Sequence, residues 1–168
     1  VRANLPELLP WAVCAAFTGA RVKELEMLRW ESINFERDFV EIASTKIRTK
    51  ARRLVPLHNA LKAWLTPYRR EAGPITDYVD PRAALGRVAS VAQLALRDNA
   101  FRHSYISYRV AKTNDTARVA LECGNSPEII FQHYRELVGP DDAAGWFGVF
   151  PSMIPPVSSR DVVERAAA

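Results

Sequence analysis

Apolar residues in this 168-residue chain recur at helical spacing almost everywhere and at strand spacing in one short stretch only. Leu8, Leu9, Ala12, Val13, Ala16 and Phe17 fall three and four residues apart, the signature of one helix face, and the run stops near Thr18-Gly19. A second helix follows. Val22, Leu25 and Leu28 face its core side, and Glu24 sits in the first turn, where a carboxylate meets the positive end of the helix dipole. Between Ile33 and Leu57 the pattern changes to two β-prone runs, Phe39-Val40-Glu41-Ile42 and Leu54-Val55-Pro56-Leu57, on either side of a basic stretch. This pattern reads as a mainly α fold with a small antiparallel sheet, an α+β architecture in which we expect three strands.

Leu61, Trp64, Leu65 and Tyr68 predict a helix cut short around Pro67 and Gly73, and residues 73 to 81 read as a surface loop. Helical spacing returns in Leu85, Val88, Val91 and Leu94, then in Phe101, Ile106 and Val110, with a break near Asn99. A helix from about Asp115 to Cys123 is stopped by Gly124, a residue suited to the left-handed conformation of helix ends. Ser126-Pro127 supplies an N-cap and a proline at the first helical position, which puts Tyr134 about two turns into the next helix. Pro140 to Ala144 opens a last short helix carrying Trp146 and Phe147. We expect one domain over 1–151 and a mobile tail over 152–168, where composition shifts to Pro, Ser, Val and Ala. A start at Val1, close to an apolar helix, predicts a piece of a longer protein whose upstream domain is missing.

An apolar share of 48% excludes wholesale disorder. A net charge of +4 and a pI near 9.3 are compatible with a polyanionic partner, and clustering sharpens this: Lys46, Arg48, Lys50, Arg52 and Arg53 place five cations in eight residues. The bland reading of that cluster is a solvated hairpin tip. Cys14 and Cys123 read as reduced core thiols of a cytoplasmic protein. No apolar run is long enough for a membrane span, and no export signal precedes the first helix.

Chemistry concentrates at Arg21 in Thr18-Gly19-Ala20-Arg21, Lys46 in Ser44-Thr45-Lys46, Arg102 and His103 in Asn99-Ala100-Phe101-Arg102-His103, Gly124-Asn125-Ser126, and Tyr134 in Gln132-His133-Tyr134. Two arginines offer planar forks matched to phosphate oxygens, a lysine offers a proton, and a tyrosine offers an oxygen that can attack phosphorus. Each residue alone has an ordinary structural reading: a helix-start arginine, a loop lysine, a half-buried tyrosine. In this order, over roughly residues 8 to 137, the set resembles the catalytic domain of tyrosine recombinases, the phage integrase family.

The resemblance implies that Arg21 and Arg102 hold the non-bridging oxygens of a DNA phosphodiester. It implies that Tyr134 attacks phosphorus to give a 3′-phosphotyrosyl intermediate, and that Lys46 protonates the departing 5′ oxygen, with Lys50 as a competitor for that role. No cofactor and no metal are implied. Double-stranded DNA is the implied partner, contacted along its backbone by Arg48, Lys50, Arg52 and Arg53 with an affinity that falls steeply with salt. Further implied are a homo-tetramer on two recombination sites and docking of the Trp146/Phe147 segment on a neighbouring protomer. Packing of that segment on its own domain is the open alternative.

Two positions depart from the family pattern. Asn99 stands where histidine or lysine is common, and Asn125 where histidine or tryptophan is frequent; both count as site residues. Asparagine can donate to a phosphate oxygen but cannot take a proton from Tyr134 near neutral pH. His133 adjoins Tyr134 and points elsewhere on a helix, while His103 belongs in the family to packing and hydrogen bonding. The resemblance therefore implies reduced activity. The rival reading is a DNA-binding relative that no longer cleaves, and a type IB topoisomerase-like strand transferase ranks third. A metal nuclease is disfavoured by three histidines, His58, His103 and His133, without ligand spacing, and a cysteine phosphatase by the place of Cys14 in a buried helix.

Overall fold

A computed structural model describes residues 5–44, 52–134 and 138–153. Eight α-helices and a three-stranded sheet make up these residues: α1 (Leu5–Thr18), α2 (Val22–Glu26), β1 (Ile33–Asn34), β2 (Phe39–Ala43), β3 (Arg52–Pro56), α3 (Asn59–Leu65), α4 (Pro81–Val91), α5 (Ala100–Thr113), α6 (Thr116–Cys123), α7 (Pro127–Tyr134) and α8 (Pro140–Phe147). The sheet is antiparallel in the order β1-β2-β3, with Ile33 opposite Val40 and Val40 opposite Val55. Val40, Ile42 and Val55 point into the core from one face, the alternation that a half-buried sheet demands. The mainly helical fold with a small sheet is as the periodicity predicts.

Helix α1 is central. Leu8, Trp11, Cys14, Ala15 and Phe17 are buried, and with Tyr105, Ile106 and Val110 of α5 they belong to one core cluster. Local signals end the helices where the sequence places them. Asp115 accepts from the Arg118 amide at 2.9 Å to cap α6, Gly124 closes it at φ +63°, and the Ser126 hydroxyl accepts from the Ile129 amide at 3.4 Å to start α7.

One stripe does not hold as expected. Helix α4 stops at Val91, where Gln93 turns left-handed at φ 57°, and Val91 and Leu94 are exposed at 59% and 63%. Its buried residues are Pro81, Ala84 and Ala89, small side chains that permit close approach to α1 and that an apolar-periodicity count undervalues. Val22 is likewise only partly buried.

Helix α8 packs on its own chain. Trp146 stacks on Tyr108 with ring centroids 4.8 Å apart, Phe147 lies 6.3 Å from Phe17, and the Lys112 ammonium sits 4.6 Å over the Phe147 ring. The Trp64 indole donates to the Val149 carbonyl at 2.9 Å, fixing the chain beyond α8 against α3. The tail expected over 152–168 lies almost wholly outside the described residues.

His58, just before α3, is enclosed by this packing, with Nε2 3.4 Å from the Tyr105 hydroxyl and its ring 4.7 Å from Phe147. Burial, then the Arg109 charge, pushes its pKa from 6.5 down to about 4. The folded chain keeps this imidazole neutral while the unfolded chain protonates it. Its share of stability is whole above about pH 6.5 and drains away as pH falls to about 4, by about 3 kcal/mol in all. Urea titrations across that window are expected to show the slope, and His58→Gln to flatten it. Glu24 and Glu122, both held below the usual carboxylate value of 4.5, add their losses only at lower pH.

Candidate active site: two arginines on one amide oxygen

The chain leaves α1 through Thr18-Gly19-Ala20, and this turn sets the first arginine. Thr18 Oγ1 donates back to the Cys14 carbonyl at 2.7 Å and accepts from the Ala20 amide at 3.2 Å. Gly19 has φ +62°, and a Cβ there would stand 2.5 Å from the Tyr105 ring and 2.9 Å from the Cys123 sulfur. Only glycine satisfies both demands. Arg21 is the N-cap of α2, and its own amide donates to Glu24 Oε2 at 2.7 Å.

Glu24 is more than a dipole partner. It is buried, and it accepts from Arg21 Nη1 at 3.3 Å and from both Nη atoms of Arg53 at 2.9 and 2.7 Å. These contacts outweigh its burial and lower its pKa. Arg53 also donates through Nε to the Glu122 carbonyl at 2.8 Å. The expectation that Arg53 is a backbone phosphate contact is corrected here. Its side chain is only 13% exposed, and all three of its nitrogens are engaged in binding the sheet to α2 and α6. It acts on the site through Glu24, by holding Arg21. Arg52 does stand on the surface, 72% exposed and paired with Glu41 at 3.2 Å. Lys46, Arg48 and Lys50 lie outside the described residues.

Arg102 enters from the first turn of α5. It is buried, donating through Nη1 to the Gly19 carbonyl and through Nη2 to the Cys123 carbonyl at 2.9 Å and to Asn125 Oδ1 at 2.7 Å. Arg21 Nη2 reaches the same Asn125 oxygen at 3.2 Å and the Gly124 carbonyl at 2.9 Å. Arginine only donates, so the Asn125 carbonyl oxygen must face both guanidinium groups. Its NH2 is left to serve another acceptor. Burial, then the Arg21 charge, lowers the Arg102 pKa from its ordinary value. Two like charges held together in this way favour an anion between them.

Arg21, Arg102, Asn99, His103, Val22 and Lys23 line one cleft. Asn99 sits at its rim in the left-handed conformation, φ 56°, immediately before α5. Lys23 is a cation that sequence reasoning missed. The signal was available, since Arg21 and Lys23 flank one residue in the first turn of α2.

Tyr134, the last described residue of α7, is 7% exposed. Its Oη lies 2.5 Å from His103 Nδ1, and the two rings stack at 5.6 Å. Burial raises the phenol pKa, and the nearby Arg102 charge acts against that rise. His103 was expected in packing and hydrogen bonding, and its partner in both is the Tyr134 side chain. The structure thus brings Arg21, Asn99, Arg102, Asn125 and Tyr134 into one neighbourhood. Cys14 and Cys123 are buried free thiols pushed up to about 12, hence inert as nucleophiles.

This fold has solved counterparts. The chain superposes on XerA recombinase with a TM-score of 0.64 at 15% identity, over 83% of this chain and 56% of that one. On an integrase from mycobacterium phage Brujita the TM-score is 0.58 at 14% identity, over 98% and 58%. On XerH site-specific recombinase, bound to a palindromic difH substrate in a post-cleavage complex, it is 0.56 at 20% identity, over 87% and 46%. No protein-family model matches the chain, and no curated protein matches it. The fold is that of a tyrosine-recombinase catalytic domain. The chain spans about half the length of these structures. No helix of the described residues is long and apolar enough to cross a membrane.

Proposed function

We propose that this chain is the catalytic part of a site-specific DNA recombinase, cleaving and rejoining strands through a 3′-phosphotyrosyl intermediate. The observation that carries the reading is the convergence of Arg21 and Arg102 on the single oxygen of Asn125, beside a cleft whose His103 holds the Tyr134 hydroxyl. That amide oxygen occupies the place of an anionic oxygen. A phosphodiester entering the cleft takes over the two guanidinium forks, and the Asn125 NH2 is free to donate to it. Tyr134 then attacks phosphorus, and the 5′ oxygen leaves with a proton from Lys46. Exchange of one phosphoester for another lets the step run backward onto a new strand.

Asn99 at the rim adds a polar contact to the same phosphate. Double-stranded DNA lies across the face bearing Arg52, and Arg48 and Lys50 are further contacts to its backbone. A tetramer on two sites and a cytoplasmic location complete the reading. Four-way assembly would require α8 to leave Tyr108 and Phe17 or to dock as it stands.

The test traps the reaction. Nicked duplexes of randomised sequence are incubated with the chain in low salt and resolved under denaturing conditions. A covalent adduct that disappears in Tyr134→Phe is the expected result. Salt-sensitive binding without an adduct would favour the DNA-binding relative that no longer cleaves.

A further inference from the structure

A strand transferase with asparagine at both Asn99 and Asn125 needs a proton acceptor for its tyrosine, since an amide cannot take one. The structure supplies one from an unexpected place. His103 follows Arg102 on α5, so the turn that buries the guanidinium presents the imidazole at the cleft wall. Its Nδ1 is 2.5 Å from Tyr134 Oη, within the reach that proton transfer requires. The rings lie 22° from parallel, which restricts both side chains. In the tautomer with its proton on Nε2, the imidazole accepts from the Tyr134 hydroxyl on Nδ1. The imidazole is exposed and can trade its proton with water. Among the described residues, the charged and titratable groups around the pair are Arg102 on α5, Arg21 and Lys23 on α2, and Cys123 on α6.

Resting on the strand-transfer reading, we propose that His103 is the general base of this site, taking the Tyr134 proton on Nδ1. As Oη forms its bond to phosphorus, the bond from phosphorus to the 5′ oxygen breaks. The electron pair leaves on that oxygen, which takes a proton from a protonated lysine amine, the role given to Lys46. In the reverse step the imidazolium returns the proton to Oη as the phosphotyrosine bond opens.

The experiment measures adduct formation by the wild-type chain, His103→Ala and His103→Asn on nicked duplexes of randomised sequence, from about pH 5.5 to about pH 9, which spans the imidazole range. The wild-type rate is expected to climb through that range and level off. His103→Ala is expected to slow cleavage by about 10²- to 10⁴-fold, to lose the inflection and to recover in part with added imidazole, while binding the same duplexes normally. His103→Asn keeps an acceptor oxygen near Nδ1 but no base, and is expected to stay slow. Full activity in His103→Asn, or a wild-type pH profile in His103→Ala, would overturn the proposal alone. Absence of an adduct from the wild-type chain would overturn it together with the strand-transfer reading. Nuclear magnetic resonance supplies a second measurement independent of turnover: the His103 ring resonances are expected to shift in Tyr134→Phe, and unmoved resonances count against the pair.

Discussion

Arg102→Ala is expected to cost both stability and turnover, and by more than any other single cation of the site. Arg102 ties three parts of the chain together, through the Gly19 carbonyl after α1, the Cys123 carbonyl at the end of α6 and Asn125 before α7. Gly19 and Cys123 are buried, so alanine leaves acceptors that water reaches poorly. A buried unsatisfied group costs about 1–3 kcal/mol, and removal of several sets the expected loss on the order of 4 kcal/mol. Adduct formation is expected to drop at least about 10³-fold at a temperature where the variant is folded, since a preorganised donor to the developing charge has gone. Arg102→Lys keeps the charge but not the fork. It is expected to regain part of the stability in urea titration and little of the cleavage, which separates the two roles.

The second large effect lies behind the site. Glu122 is buried under α5 and accepts from Arg109 Nε and Nη2, both at 2.8 Å, from the Tyr105 hydroxyl at 3.1 Å and from Arg118 Nε at 3.1 Å. These partners overcome its burial and keep its pKa low. Glu122→Ala strands Arg109, itself 5% exposed, with no counter-charge from Glu122. The expected loss is about 3–5 kcal/mol, a large part of the total stability of an ordinary domain. Replacing both members by leucine is expected to restore most of it, because the cost comes from an unpaired buried charge and not from the absence of the pair. Urea unfolding of the single and double variants reads this directly. Arg53 bonds the main-chain carbonyl of Glu122, which alanine keeps, so Glu24 and Arg21 are expected to retain their partners in the single variant.

How much of this was legible in the sequence divides by the range of the interactions. Helix ends were legible because Asp115, Gly124 and Ser126 act within a few residues of themselves. The order of the motifs pointed to Arg21, Arg102 and Asn125, and Asn125 emerges as the meeting point of both arginines. Arg53 was not. As one cation among five it reads as surface, and only the packing of β3 against α2 and α6 turns it inward onto Glu24. The partner of His103 was hidden for a similar reason. Spacing along α5 shows that it neighbours Arg102, but its pairing with Tyr134 depends on how α7 crosses α5. The burial of Ala84 and Ala89 in place of Val91 and Leu94 again follows from helix packing, which rewards small residues at a close crossing.

The most direct measurement of the central claim is the chemical identity of the trapped product. Adducts formed on nicked duplexes are digested with nuclease and protease, and the peptides are read by mass spectrometry. The expected product is a nucleotide joined by its 3′ phosphate to Tyr134, with Tyr134→Phe giving none. A nucleotide carried by any other side chain, or joined through its 5′ phosphate, would contradict it.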